Sequence, residues 1–268
     1  MIISNDDEIN LIDAIEKKNI VKVNSILKNS IKNKKILNLN KKNNRGSYPL
    51  LEAIIKNNIE ITKLLIEYAN QHQIILKLNE KNNDGKYPLL EAIEKNDINM
   101  IELLINYANK HHIILELNKK NENDGYYPLL RAFYKNDINI VELLINYANQ
   151  QQIILNLNDK DNKCNYPLYW ATYNNSIKVV KLLIKYANQH QIILHLNDKT
   201  IYGKYPLYWA IYKNNVDMIK LLIDYGFQHQ TVLEYDQNDI GNNSEIKKVL
   251  ENYEKEKDKI IKVIKINR

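Results

Sequence analysis

The chain has little of the residues that usually punctuate a fold: one cysteine, six glycines and five prolines in 268 residues. A single cysteine forms no internal disulfide, which excludes a cystine-stapled secreted scaffold. There is no run of about 18 apolar residues, so no membrane-spanning helix is expected. The start, Met1 to Glu8, has neither a basic region nor an apolar stretch, and no signal peptide is read there. Also missing are a Gly-rich phosphate loop, a His-Glu-x-x-His pair and a Cys-x-x-Cys pair. These absences favour an intracellular, cytoplasmic protein that holds no cofactor and no metal. Hydrophobic residues make up 44% and charged residues 26%, enough apolar content to build a core and too much for wholesale disorder.

Charge is unevenly placed. The formal net charge is +6, yet residues 1–47 and 241–268 hold 18 of the 38 basic residues, leaving 20 basic and 22 acidic residues in 48–240. A nucleic-acid reader carries its basic stripe on its working surface. Here the excess sits at the two ends, so nucleic acid is the weaker of the partner classes.

The five prolines are all in one tripeptide: Tyr48-Pro49-Leu50, Tyr87-Pro88-Leu89, Tyr127-Pro128-Leu129, Tyr166-Pro167-Leu168 and Tyr205-Pro206-Leu207. The spacings are 39, 40, 39 and 39 residues, the signature of a stacked repeat architecture. Proline suits the first turn of a helix, where its missing N–H is no loss, so a helix starts at each Tyr-Pro. Five residues after each Tyr stands Ala53, Ala92, Ala132, Ala171 or Ala210, small enough for close helix approach. Nine residues after each Tyr stands Asn57, Asn96, Asn136, Asn175 or Asn214, suited to a left-handed helix terminus. The next residue, Asn58, Asp97, Asp137, Ser176 or Asn215, is a good N-cap for a second helix. That helix carries Leu64-Leu65 and its four counterparts. Leu65, Tyr68, Ala69, His72 and Leu76 keep helical spacing, which predicts a second helix running to about residue 76. A polar segment with Gly46, Gly85, Gly125 or Gly203 then precedes the next Tyr and reads as a tight hairpin-like finger; Cys164 replaces the glycine once.

Helix, turn, helix and finger, with Gly-x-Tyr-Pro-Leu and a later Leu-Leu, resembles the ankyrin repeat. The resemblance covers 48–240 and implies an all-α, ankyrin-type helix-turn-helix solenoid with short fingers. It implies a degenerate N-terminal cap repeat at 1–47, five repeats at 48–240 and a capping helix at 241–268, with Ser244 as its N-cap. There are three departures. The family's Thr is Tyr here, and its His is Leu51, Leu90, Leu130, Tyr169 or Tyr208, a joint loss of two hydrogen-bond partners that can be nearly neutral. About six extra residues per repeat read as added turns of the outer helix. Asn replaces Gly between the helices, a conformationally mild change.

No convincing catalytic set emerges, and the chain is read as non-enzymatic. Cys164 could pair with His190 or His195, but it stands in the finger-glycine place. His72, His112, His190 and His229 recur as a ladder, with Gln151 breaking the series. Stacked helices about 8–10 Å apart cannot easily bring such a ladder onto one zinc, so it reads as a repeated packing position.

Variable columns are more informative. Glu52, Glu91, Arg131, Trp170 and Trp209 stand four residues after each Tyr, and Ile55, Glu94, Tyr134, Tyr173 and Tyr212 seven after. Ser47, Lys86, Tyr126, Asn165 and Lys204 stand one before. By the resemblance these columns lie on or near the concave face or the finger tips. Trp, Tyr and Arg dominate interface hot spots. The expectation is a monomeric protein-binding module or adaptor whose partner contacts are Trp170, Trp209, Tyr134, Tyr173, Tyr212, Arg131, Glu52, Glu91 and Glu94. Two alternatives stand beside it: Trp170 and Trp209 stack on each other as packing, or the Lys-rich C-terminal helix makes the chain a self-associating element.

Overall fold

The computed structural model describes the backbone of residues 6–266 and the side chains of residues 7–257. The first five residues, and the side chains at the Lys-rich end of the last helix, on which the leader and self-association readings rest, lie outside these. The described residues are all helix, turn and extended segment, with no strand. They form two compact units, Met1–Asn123 and Asp124–Arg268.

The first unit holds three helix pairs: α1 (Asp6–Glu16) with α2 (Ile20–Lys32), α3 (Pro49–Ile55) with α4 (Ile59–Gln71), and α5 (Pro88–Glu94) with α6 (Ile98–Lys110). Inner helices α1, α3 and α5 pack in sequence, as do outer helices α2, α4 and α6. The second unit repeats the plan with α7 (Pro128–Lys135) and α8 (Ile138–Gln150), α9 (Pro167–Tyr173) and α10 (Ile177–Gln189), and α11 (Pro206–Tyr212) and α12 (Val216–Gln228). A last helix, α13 (Ser244–Ile266), packs on α12.

Local chemistry sets the helix ends. Each Tyr before the proline is extended, with φ −123° and ψ 163° at Tyr48, so the helix begins at the proline. Asn57, Asn96, Asn136, Asn175 and Asn214 are all left-handed, with φ from 50° to 57°. The Asn57 N–H donates to the Ile54 carbonyl (2.8 Å) and the Asn58 N–H to Ala53 (3.0 Å), the paired bonds that close a helix around a left-handed residue. The side chains of Asn58, Asp97, Asp137 and Asn215 then accept from the first turn of the outer helix. Ser176 does not: its hydroxyl makes no capping bond. Nor does Ser244 cap α13; the Asn243 carboxamide does, accepting from Glu245 (3.0 Å) and Ile246 (3.2 Å). The five inner-helix alanines are fully buried, which allows close inner-helix packing within each unit.

The outer helix is shorter than its periodicity predicts. α4 ends at Gln71, Gln73 is left-handed (φ 56°), and the Ile74 N–H returns to the Ala69 carbonyl at 2.9 Å. The extra residues form an extended segment instead, because the neighbouring repeat satisfies its backbone. The Leu76 N–H donates to the Tyr107 hydroxyl (3.0 Å), which donates to the Ile74 carbonyl (3.2 Å). Tyr186 clamps Leu155 and Ile153 in the same way, and Tyr225 clamps Leu194 and Ile192. A second tie comes from the asparagine after each buried leucine. Asn40 donates to the Ile75 carbonyl (2.7 Å) and accepts from the Lys77 N–H (3.1 Å); Asn79, Asn158 and Asn197 do likewise. Each carboxamide thus imitates one rung of a β-ladder.

Nor is the Tyr of Tyr-Pro-Leu a purely apolar stand-in for Thr. The Tyr48 ring is buried, yet its hydroxyl donates to the Glu80 carbonyl of the following repeat (3.1 Å), and Tyr87, Tyr127 and Tyr166 repeat this. Fingers are true hairpins: Asn82 and Lys86 exchange a backbone bond of 2.9 Å, and the Asn82 carboxamide accepts from Asp84 and Lys86. Gly85 is left-handed (φ 72°), and a Cβ there would lie 2.7 Å from Asn121 Oδ1, so both conformation and space favour glycine.

At the first pair, the Asn38 N–H donates to the Glu8 carboxylate (3.3 Å), which also holds Lys41 (3.1 Å). Glu8 takes there the accepting half of the role that Asn40 plays one repeat later. At the far end the Tyr253 hydroxyl accepts from the Leu233 N–H (2.7 Å) and donates to its carbonyl (3.2 Å), so α13 occupies the place of a further outer helix.

Candidate binding surface

The inner helices of the second unit carry a continuous row of rings. Tyr126 lies 5.7 Å from Tyr134, Tyr134 4.8 Å from Trp170, Trp170 5.3 Å from Tyr173, Tyr173 4.7 Å from Trp209 and Trp209 5.6 Å from Tyr212. Every contact is edge-to-face, with interplanar angles from 65° to 88°. This arrangement sets the positive edge of one ring on the negative face of the next. The row follows from the repeat: positions four and seven after each Tyr share a side of a seven- or eight-residue helix, and successive helices place them alongside one another.

The two tryptophans do not stack on each other; Tyr173 stands between them. Both are half-buried, while Tyr134, Tyr173 and Tyr212 stay 42%, 39% and 61% exposed. The Trp170 and Trp209 indole nitrogens are buried and close no hydrogen bond of normal geometry; the Tyr169 hydroxyl lies beside the Trp209 indole. A buried, unpaired N–H costs about 1–3 kcal/mol.

Cations edge the row. The Arg131 guanidinium sits 3.6 Å from the Tyr126 ring centre and 2.6 Å from an Asp124 carboxylate oxygen. The Lys204 ammonium lies 3.5 Å from the Tyr208 ring centre, and Lys213 lies 5.9 Å from both Tyr173 and Tyr212. Burial raises the Tyr126 phenol pKa, with Asp161 adding to it. The partner contacts expected from the sequence leave out Tyr126, Tyr208, Lys204 and Lys213. Tyr208 stands in the place of the family's His.

The acidic members are placed differently. Glu52, Glu91 and Glu94 belong to the first unit and are not part of this row. Glu52 and Glu91 are 3% and 5% exposed. Glu52 lies 3.7 Å from Arg45, and Glu91 3.5 Å from Lys86. Burial raises the Glu91 pKa against the pull of Lys86 and Lys95. Both carboxylates are thus largely covered, and only Glu94 of the three is half-exposed.

The histidine ladder is a packing feature, and its second member is His111, not His112. His111 lies against Tyr107 at 4.2 Å and bonds Asn70 at 2.7 Å, whereas His112 is the left-handed residue after it. His190 and His229 bond Asn149 and Asn188 in the same manner. Cys164 takes the glycine conformation (φ 60°), while His190 bonds Asn149 and His195 bonds Asp198, so no Cys–His pair is formed. Among the described residues no three metal-ligating side chains cluster, and no helix is long and apolar enough to cross a membrane.

The family model for ankyrin repeats matches in three overlapping copies, at residues 11–114, 109–193 and 151–232. The chain belongs to the ankyrin-repeat family. Ankyrin repeats are protein-interaction modules, and the pairwise helix packing here is theirs. No curated protein matches the chain in sequence. Among solved structures, it is similar to a chain of the complex between a predatory endopeptidase from Bdellovibrio bacteriovorus and an immunity protein. The match has 22% identity and a TM-score of 0.57, covering 80% of this chain and 97% of that one. At that identity the likeness establishes the fold alone. Relative to the usual ankyrin repeat, this array replaces the Thr–His pair by a tyrosine whose hydroxyl reaches the next repeat. It also adds an extended segment that the next outer helix clamps.

Proposed function

We propose that this ankyrin-repeat chain is a non-enzymatic adaptor that holds an extended segment of a partner protein along the aromatic row of its second unit. The observation that carries this reading is the row itself. It contains both tryptophans of the protein, each half-exposed, with the Trp170 indole N–H unbonded, beside three exposed tyrosines. The rings are held edge-to-face before any partner arrives, so binding need not order them. Trp170 and Trp209 anchor apolar side chains of the segment, Tyr134, Tyr173 and Tyr212 flank them, and Arg131 marks the end beside Tyr126. In the first unit, taken by itself, half-exposed Glu94 favours a basic partner residue, and Glu52 and Glu91 are covered. The α1–α2 pair and α13 serve as caps, through Glu8 and Tyr253. The protein acts as a monomer, and its lone cysteine suits a reducing intracellular compartment. The endopeptidase–immunity complex supports the reading to the extent that this fold occurs within a protein–protein assembly.

Both tryptophans lie in the row, so their fluorescence reports occupancy directly. Partners are captured from source-cell lysate with wild-type protein and with Trp170→Ala/Trp209→Ala, after both are shown to melt cooperatively. Each captured partner is then titrated against the wild-type emission. Capture lost in the double variant, together with an emission change on titration, supports the row as the site. Unchanged capture by a folded double variant refutes it.

A further inference from the structure

The finger ladder ends in an open place. Within each unit, the tip carbonyl of one finger accepts a bond from the next. Arg45 accepts from the Asn83 N–H (3.0 Å), Asp84 from the Asn123 carboxamide (2.7 Å), Asp124 from the Asn162 N–H (3.1 Å) and Lys163 from the Ile201 N–H (3.2 Å). The corresponding carbonyl of the last finger, Tyr202, has no successor. The glycines agree: a Cβ at Gly46, Gly85 or Gly125 would meet an asparagine of the following finger, whereas a Cβ at Gly203 would meet nothing within 4 Å.

Tip composition reverses at this finger. The earlier tips are Asn44-Arg45, Asn83-Asp84, Asn123-Asp124 and Asn162-Lys163; the last is Ile201-Tyr202, 58% and 65% exposed. A terminal repeat facing only water needs a polar outer surface, and this one is more apolar than any interior tip. An open recess of about 490 Å³ adjoins it, lined by Gly203, Lys204, Tyr208, Asp236 and Asp239. In preceding repeats an inner helix follows; here a three-residue turn, Gln237–Asp239, stands in its place.

We infer that this end is a second docking site, in which an extended segment of a partner protein adds itself as the next finger. The occupant's chemistry follows from what fills the place at the interior steps: a backbone N–H, or an asparagine carboxamide, on the tip carbonyl, with an asparagine over the glycine. The partner segment therefore gives an amide N–H to the Tyr202 carbonyl, sets an Asn or other small polar residue over Gly203, and covers Ile201 and Tyr202 with an apolar side chain. This is edge-strand addition on a short scale. A second copy of the chain does not fit. Its own first finger would have to bring α1 and α2 together, and α13 already fills the outer-helix place beside α12.

The test uses a displayed library of extended peptides selected on the full-length protein. Three proteins are compared: wild type, Ile201→Asn/Tyr202→Lys and Trp170→Ala/Trp209→Ala. The first variant gives the last finger the tip of the preceding one, so it should fold. Expected is a peptide class whose affinity falls at least tenfold with Ile201→Asn/Tyr202→Lys, holds with Trp170→Ala/Trp209→Ala, and falls again when one peptide amide is N-methylated. Equal binding to wild type and the finger variant overturns the inference. So does a class that depends only on the tryptophans, while leaving the aromatic row standing as a site. Concentration-dependent self-association of wild type that disappears in the finger variant overturns the assigned occupant in favour of a second copy.

Discussion

Replacing Tyr107 by phenylalanine removes one oxygen and tests the clamp that holds the extended segment. The ring is 3% exposed and its volume is kept, so no cavity opens. What is lost is a shared pair of bonds: acceptance from Leu76 N–H at 3.0 Å and donation to the Ile74 carbonyl at 3.2 Å. Leu76 is buried, and an orphaned buried N–H costs about 1–3 kcal/mol. The bond to the Ile74 carbonyl is only part-buried and adds about 0.5 kcal/mol at most, toward the low end of a net hydrogen bond. Tyr107→Phe is expected to destabilise the array by about 1–3.5 kcal/mol, lowering Tm on the order of 2–4 °C per kcal/mol for a chain of this size. Urea denaturation followed by circular dichroism measures the first, and amide exchange at Leu76 measures it locally. The exchange measurement matters because repeat arrays can open regionally. Tyr134→Phe, at a 42% exposed ring, is the control and should stay within about 0.5 kcal/mol. A Tyr107→Phe loss under about 0.5 kcal/mol with unchanged Leu76 exchange would refute the clamp and return the extra segment to the status of a passive insertion.

Two further outcomes follow from the same geometry. Asn79→Ala removes the carboxamide that bonds Ile114 (2.7 Å) and Glu116 (3.2 Å); at this exposed site the expected loss is about 0.5–1.5 kcal/mol in urea denaturation, and no loss would show that these rungs add nothing. Alkaline pH should unfold the chain. Burial raises the phenol pKa values of Tyr107, Tyr186 and Tyr225, and pushes Tyr205 and Tyr253 up to about 12. A raised folded-state pKa contributes stability that is complete below about pH 10, the unfolded value, and is lost as pH climbs through the folded one. Phenolate absorbance from these buried rings should therefore rise only above that value. The buried set should ionise only as helical signal is lost, and ionisation of all rings together with helix intact would contradict this.

The sequence by itself determined the repeat, its register and the inner-helix bounds. Proline at the first turn and asparagine nine residues after each Tyr are local conformational signals, and their geometry needs no neighbour to be legible. It also placed the aromatic column, because two fixed offsets on a short helix share one side. The tertiary structure decided the rest. Helical spacing through Leu76 misled because Tyr107 and Asn40 belong to neighbouring repeats, and their bonds make an extended segment cheaper than another helical turn. The hydroxyl of each Tyr-Pro tyrosine found its acceptor some 30 residues on, a distance no local pattern encodes. Glu52 and Glu91 looked like open carboxylates until Arg45 and Lys86 folded over them. Local backbone preference is written residue by residue, whereas what covers a side chain depends on which other repeat arrives beside it.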